Sequence, residues 1–293
     1  MRTFGNRILS KVKSPALVRF WRIYSRDKLG MLGLLILSGI TLLSLLAPYL
    51  PLKDPFAIVY RRFLPPSFEH PLGTDHLGRD VFSRVIWGSR TSLVIGFIAA
   101  GISALIGTTL GSIAGYYGGL IDDILTRIID IFLMIPAFFL ILFIIAVYGS
   151  NIIYVMIVIG LLTWPSNARI MRAQVLSIRE REFVQAAILM GVSNIKVLIK
   201  HIIPNAIHPV IANSILQAAG AIIIEAGISY LGLGDPNAVS WGRIIYEGQS
   251  YITSYWWISF FPGVAIAITV LSLYLVGETL SKIFNPKSMA LGG

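Results

Sequence analysis

The sequence predicts an all-α membrane protein of six transmembrane helices with cytoplasmic N- and C-termini. Three observations carry that prediction. First, of 293 residues 56% are hydrophobic and only 13% charged, with a mean hydropathy of +0.78. Water-soluble domains carry about 25% charged and about 45–50% apolar residues, so this apolar excess has no soluble core to enter. Second, the apolar residues gather into six stretches, most near the roughly 20 residues that a bilayer core requires of a helix. Third, 17 of the 24 Lys and Arg fall in the segments that alternate crossing places on the side of the N-terminus, and cytoplasmic flanks carry the cationic excess.

Each element follows in order. Residues 1–28 form a basic cytoplasmic tail with eight Lys/Arg and one acid, Asp27. A removable signal peptide places its apolar stretch directly after the charged start. Here that stretch begins only near Leu29 and ends in Ala47-Pro48-Tyr49, so Leu29–Leu50 is read as a retained first span. Residues 51–90 are an extracytoplasmic, Pro-rich segment with a short helix through Asp80–Trp87, and they hold six cations (Lys53, Arg61, Arg62, Arg79, Arg84 and Arg90). The later spans are Thr91–Tyr117, Ile128–Tyr148, Ile152–Ala168, Ile207–Leu233 and Trp257–Val276. In the second, Gly107, Gly111 and Gly115 share one helix face and let another backbone approach; packing is preferred over gating. In the fifth, Asn213, Gln217, Ala221, Glu225 and Ser229 recur at steps of four. An ionisable group inside a membrane is costly and faces a bundle interior or a water-filled cavity. Asn213, Gln217 and Glu225 are therefore candidate pathway residues, with a structural hydrogen-bonding role for Glu225 an equal alternative. The aromatic run of Trp241, Tyr246, Tyr251, Tyr255, Trp256 and Trp257 reads as an interfacial belt. Residues 29–90 thus hold the first helix and the extracytoplasmic segment, 91–280 the remaining membrane domain with a cytoplasmic loop at 169–206, and 281–293 a cytoplasmic tail.

The exclusions are as informative. A net charge of +10 would suggest nucleic acid in a soluble protein, but these cations lie between apolar spans. The absence of cysteine removes disulfides, thiolate nucleophiles and Cys-ligated metals. There is no P-loop and no HExxH motif, and His70, His76, His201 and His208 lack metal-ligand spacing. Gly232-Leu233-Gly234-Asp235 fits the GxGD signature of intramembrane aspartyl proteases, but no Tyr-Asp pair supplies a second aspartate. No catalytic, cofactor or metal site is expected in this chain.

The most informative segment is the 169–206 loop. Phe183, Ala186, Ala187 and Met190 recur at helical spacing from Glu182 and predict an apolar face. Gly191 ends that helix, Ser193 or Asn194 caps a second one through Ile195–His201, and Pro204 stops it. The result is an amphipathic knob outside the membrane, whose apolar face is buried against the membrane surface or in a groove on a partner.

This run resembles the EAA loop of ABC importer permeases: Glu-Ala-Ala, three residues, Gly, nine residues, then Ile-x-Leu-Pro. The chain has Gln185-Ala186-Ala187, Gly191 in register, and His201-Ile202-Ile203-Pro204. Lys200-His201-Ile202-Ile203-Pro204-Asn205 is close to the RHILPN form of the peptide branch. His70–Asp75 continuing into Gly78–Val85, Glu225 with Ser229–Gly234, and Ser240-Trp241-Gly242 resemble the C-type subunit of dipeptide, oligopeptide and nickel permeases. The resemblance implies a type I ABC importer transmembrane domain for peptides, paired with a second homologous permease. It also implies two ABC ATPases, which bind ATP and Mg and dock on Glu182, Phe183, Gln185, Ala186, Ala187, Gly191, His201 and Pro204. An extracytoplasmic binding protein is implied as well, with nickel chelates, oligosaccharides or haem as alternative cargo. A stand-alone secondary transporter or channel would leave the knob without a partner.

Overall fold

The computed structural model describes residues 15–284; the first fourteen residues of the basic tail and the ending from Asn285-Pro286 onward lie outside them. Among the described residues there is no strand, only an isolated antiparallel bridge between Thr74 and Asp80. The helices are α1 (Pro15–Tyr24), α2 (Lys28–Leu46), α3 (Val81–Tyr117), α4 (Gly119–Met134), α5 (Ala137–Tyr148), α6 (Ile152–Arg179), α7 (Glu182–Leu189), α8 (Asn194–Val197), α9 (Ile203–Ala206), α10 (His208–Ile228), α11 (Trp241–Gly248) and α12 (Trp257–Phe284). Among the described residues five helices are long and apolar enough to cross a membrane, and the α4–α5 pair, bent by 77°, passes the same test only when its two helices are taken together.

Helices cover the six predicted spans, with four corrections, the first being that α12 does not end at Val276 but runs on to Phe284, into the expected 281–293 tail. The expected short helix at Asp80–Trp87 is not separate: Asp80 caps the Ser83 amide, and α3 runs on unbroken for 37 residues, about 55 Å of helix. The third span is not continuous from Ile128 to Tyr148. It bends by 77° between α4 and α5, because Pro136 forces Ile135 into extended backbone (ψ 122°). The fourth span does not end at Ala168. It passes through the buried Pro165 and continues to Arg179, so the first eleven residues of the expected 169–206 loop are helix.

The packing centre is the α3–α6 pair. A Cβ on Gly107 would meet Asn167 Cβ, on Gly111 the Ala168 carbonyl, and on Gly115 the Arg172 carbonyl. The three glycines therefore set the close approach of two backbones, as the packing reading expected. Leu93, Ala100, Ala218, Ile222, Trp241 and Leu273 join α3, α10, α11 and α12 in one buried cluster. Ile95, Ile141, Ile159 and Ile228 join α3, α5, α6 and α10 in another. α2 lies against α12, where Gly30 and Gly33 face Thr279 and Leu275. α4 is held to α6 by a two-pronged Arg172–Asp122 ion pair, with Nε···Oδ1 2.5 Å and Nη2···Oδ2 2.6 Å.

Candidate functional site

The knob begins where α6 ends. Gln185 Nε2 donates to the Arg179 carbonyl at 3.0 Å, which sets α7 back against the helix it follows. Gly191 closes α7 with φ +79°. The Gly191 and Val192 amides donate to the Ile188 and Ala187 carbonyls at 2.9 and 3.2 Å, the paired bonds of a Schellman ending. Ser193 takes the N-cap position of α8 without a capping side-chain bond, and Asn194 has another role described below.

Pro204 does not stop the second helix. A wide π turn over Leu198–Ile202 lets the Ile203 amide reach the Leu198 carbonyl, and Pro204 follows directly where that turn passes into α9, so the helical run continues through it to Ala206. Half-buried His201 lies in this turn, and its carbonyl accepts from Asn205 Nδ2 at 2.7 Å.

The expected apolar face of α7 is divided. Ala187 is buried with Val184 over Met171, Val175, Ile178, Val197 and Ile202, whereas Phe183, Ala186 and Met190 are exposed together with Glu182 and Gln185. An eight-residue helix this apolar has a side left over once its inner face is filled. Leu189 is 87% exposed, Met190 76% and Ile195 65%, and the backbone at Gly191 has open space around it. The knob is fastened to the end of α3 by Tyr116 and Arg179, which sequence reading did not single out, and by Asn194, which it read as a cap. Tyr116 Oη donates to Asn194 Oδ1 at 3.1 Å, and Arg179 Nη1 donates to the Tyr116 carbonyl at 3.0 Å.

The pathway candidates separate into two places. Asn213 and Gln217 belong to one polar node between α3, α6 and α10, centred on fully buried Asn167. Asn167 Oδ1 accepts from Asn213 Nδ2 at 2.8 Å, while its Nδ2 donates to Gln217 Oε1 at 2.9 Å and Ser103 Oγ at 3.1 Å. Gln217 also accepts from Ser103 Oγ at 2.7 Å and donates to the Thr163 carbonyl at 3.0 Å. Asn167 and Ser103 were missed, although an amide inside a span was itself a signal. Glu225 is not in this node. It is buried, and its Oε1 accepts from Ser229 Oγ at 2.6 Å and Ser240 Oγ at 2.7 Å, while Oε2 has no hydrogen-bond partner. Ser240 also caps α11 through the Arg243 amide, so Glu225 ties α10 to the start of α11.

At the end opposite the knob, the stretch from His70 to Val85 folds into an ionic cluster. Asp75 Oδ2 accepts from Arg79 Nε at 2.6 Å and Arg84 Nη1 at 2.7 Å. Glu247 of α11 takes Arg84 Nη2 at 2.8 Å and Arg79 Nη2 at 2.5 Å, with Arg243 Nε on its other oxygen at 2.9 Å. Burial pushes the Glu247 carboxyl up, but Arg84 and Arg79, with the bond from Arg243, outweigh it and hold the group down at about 2. Trp257 Nε1 adds a bond to the Thr74 carbonyl at 3.2 Å, so residues 70–84, α11 and α12 are locked together. Among the described residues no group of three or more His, Asp or Glu could hold a metal ion.

Comparison with known proteins places this arrangement. Residues 107–289 match the family described as the inner membrane component of binding-protein-dependent transport systems, and residues 16–66 match the N-terminal transmembrane domain of oligopeptide transport permease C. A putative peptide transport system permease protein of Brucella suis is 37% identical, over 94% of this chain and 93% of its own length. The dipeptide transport permease DppC of Bacillus subtilis is 35% identical over 96% of this chain and 90% of its own. The oligopeptide permease OppC of the same species is 37% identical over 90% and 87%. The inward-facing MetNI methionine ABC transporter has a chain that superposes with a TM-score of 0.54 at 16% identity, over 69% of this chain and 96% of its own, a likeness of fold. With its all-helical membrane architecture and its match along nearly the whole length, the chain belongs to the ABC importer permeases of the dipeptide and oligopeptide family, as a C-type membrane subunit.

Proposed function

We propose that this subunit forms half of the translocation pathway of an ATP-driven peptide importer of the prokaryotic cytoplasmic membrane and is driven through its α7–α9 knob. The observation that carries this reading is the apolar surface of Phe183, Ile188, Leu189, Met190 and Ile195, exposed on an internally packed projection beyond the end of α6. Such a surface on a short helix fits a groove on a partner, and the partner implied is an ABC ATPase, one for this subunit and one for a second homologous permease. ATP and Mg belong to those ATPases; this chain has no P-loop to hold them. Glu182, Gln185 and Ala186 border the same surface. The knob and the termini then lie in the cytoplasm, and the ionic cluster faces the extracytoplasmic binding protein.

The coupling step follows from linkage. Nucleotide that closes the ATPase pair favours the permease packing in which the two knobs are close, and transport is the alternation of that packing with the open one. Gly191→Val tests this. With φ +79° the position strains any β-branched residue, and the open space around it confines the damage to the corner. The expected result in reconstituted vesicles is loss of substrate-stimulated ATP hydrolysis while the subunit stays in the membrane. Retained stimulation overturns the coupling role. Gentle purification from the native host is expected to bring down a second permease and P-loop ATPases. A chain that purifies alone and still transports without ATP overturns the whole reading.

A further inference from the structure

The N-terminal helix has a surface that the transport reading leaves unused. α1 and the turn after it combine aromatic residues (Phe20, Trp21, Tyr24) with cations (Arg22, Arg26, Lys28). One face is fixed to the bundle. Tyr24 is buried and its Oη donates to the Gly30 carbonyl at 3.0 Å, while the Phe20 ring stacks on Tyr24 and on Phe284 at 6.0 and 6.1 Å between centroids. The other face is open. Trp21 is 52% exposed and Val18 38%, and Arg22, Arg26 and Lys28 are exposed beside them. The one acid of residues 1–28 is already engaged. Asp27 caps α2 by accepting from the Leu29 and Gly30 amides at 3.1 Å each, and it accepts from Thr279 Oγ1 at 3.2 Å with Lys282 Nζ 4.0 Å away.

A ten-residue helix is about 15 Å long, half a bilayer core, and cannot span. It ends one turn before α2 enters the membrane, so the open face meets the region where headgroups lie. An exposed indole flanked by cations is suited to that region on both counts: Trp sits at headgroup level, and each cation close to an anionic leaflet favours binding by about fivefold. We propose that α1 is an interfacial helix whose Trp21 face, with Arg22, Arg26 and Lys28, binds the phosphate headgroups of anionic phospholipid where the first span enters the bilayer. Through Tyr24, Phe20 and Asp27 the bound lipid fixes the α2–α12 contact. The proposal goes beyond the peptide-importer reading and does not depend on it.

The test uses the full chain in nanodiscs of phosphatidylcholine, with and without phosphatidylglycerol. Brominated forms of each lipid serve as quenchers of tryptophan fluorescence, and the difference between wild type and Trp21→Phe isolates Trp21. The expected result is stronger Trp21 quenching by brominated phosphatidylglycerol than by the brominated neutral lipid. The preference should disappear in R22Q/R26Q/K28Q, shrink at high salt, and survive added inorganic phosphate. Equal quenching by both lipids, no quenching of Trp21, or a preference that persists in the triple variant overturns the proposal. Loss of the preference on adding inorganic phosphate reassigns the site to a free anion and overturns it equally. Measuring the variant's far-ultraviolet dichroism in the neutral nanodiscs separates lost lipid binding from lost structure.

Discussion

At the residue scale, Gly191 is set by its own backbone (φ +79°), whereas the buried polar groups Asn167 and Glu225 are set by what other segments bring to them. Gly191 needed only its own backbone requirement, and its position as the end of α7 follows from sequence alone. Asn167 was passed over because its meaning comes from Ser103, Asn213 and Gln217 on two other helices. Glu225 shows the same limit from the other side. The spacing placed it on a stripe with Asn213, Gln217 and Ser229; Ser229 is one partner, but the other is Ser240 at the start of α11 rather than either amide. That geometry makes a specific prediction. Glu225→Gln preserves the Oε1 acceptor for both hydroxyls, so transport in vesicles should persist near the wild-type level. Glu225→Ala loses two buried hydrogen bonds at about 1 kcal/mol each and should lower the thermal midpoint in detergent. A folded Glu225→Gln protein that no longer transports would place the carboxylate on the pathway instead.

At the scale of elements, the apolar runs fixed where helices lie, and proline shows why their ends were harder to read. Pro136 breaks the third span whereas Pro165 is carried inside α6. The difference lies in the support around each. Residues on both sides of Pro165 are packed on α3, with Trp164 and Ala168 buried beside Ile129 and partly buried Ile106, so tertiary contact offsets the lost helix bond. α5 follows Pro136 with only Ile141 and Ile145 buried among its twelve residues, and nothing holds that turn straight. α3 lies close against α6 along three glycines, and these give a clean test. Gly111→Ala places a Cβ against the Ala168 carbonyl, whereas Gly101→Ala on the same helix meets nothing within 4 Å. Overpacking costs about 1–3 kcal/mol, so the first substitution should lower the thermal midpoint by several degrees and the second should leave it unchanged or slightly raised. Equal midpoints would mean that α6 yields to the added methyl group and that the seam is looser than its geometry indicates.

At the scale of the whole molecule, α3 joins two assemblies about 48 Å apart along its axis. Its last turn carries Tyr116, bound to the knob, and its first turn carries Arg84, fully buried in the ionic cluster. Sequence reading found the knob through local helix signals and through resemblance. It quoted the stretch from His70 to Val85 without assigning it work, because its partner Glu247 is more than 160 residues further on. That partner gives the molecule a defined response to acid. Glu247 sits near 2 when folded against a usual 4.5, so the folded state binds fewer protons there than the unfolded chain. Its contribution is complete above about pH 4.5 and drains away as pH falls from there toward 2. The thermal midpoint of the purified subunit should therefore fall across that interval. In Glu247→Gln the midpoint should be lower at neutral pH, because two buried guanidiniums are left to Asp75 alone, a loss of about 3 kcal/mol or more. It should also depend less steeply on pH below 4.5. A variant that keeps the wild-type slope would assign the acid response to other carboxylates and remove Glu247 as its source.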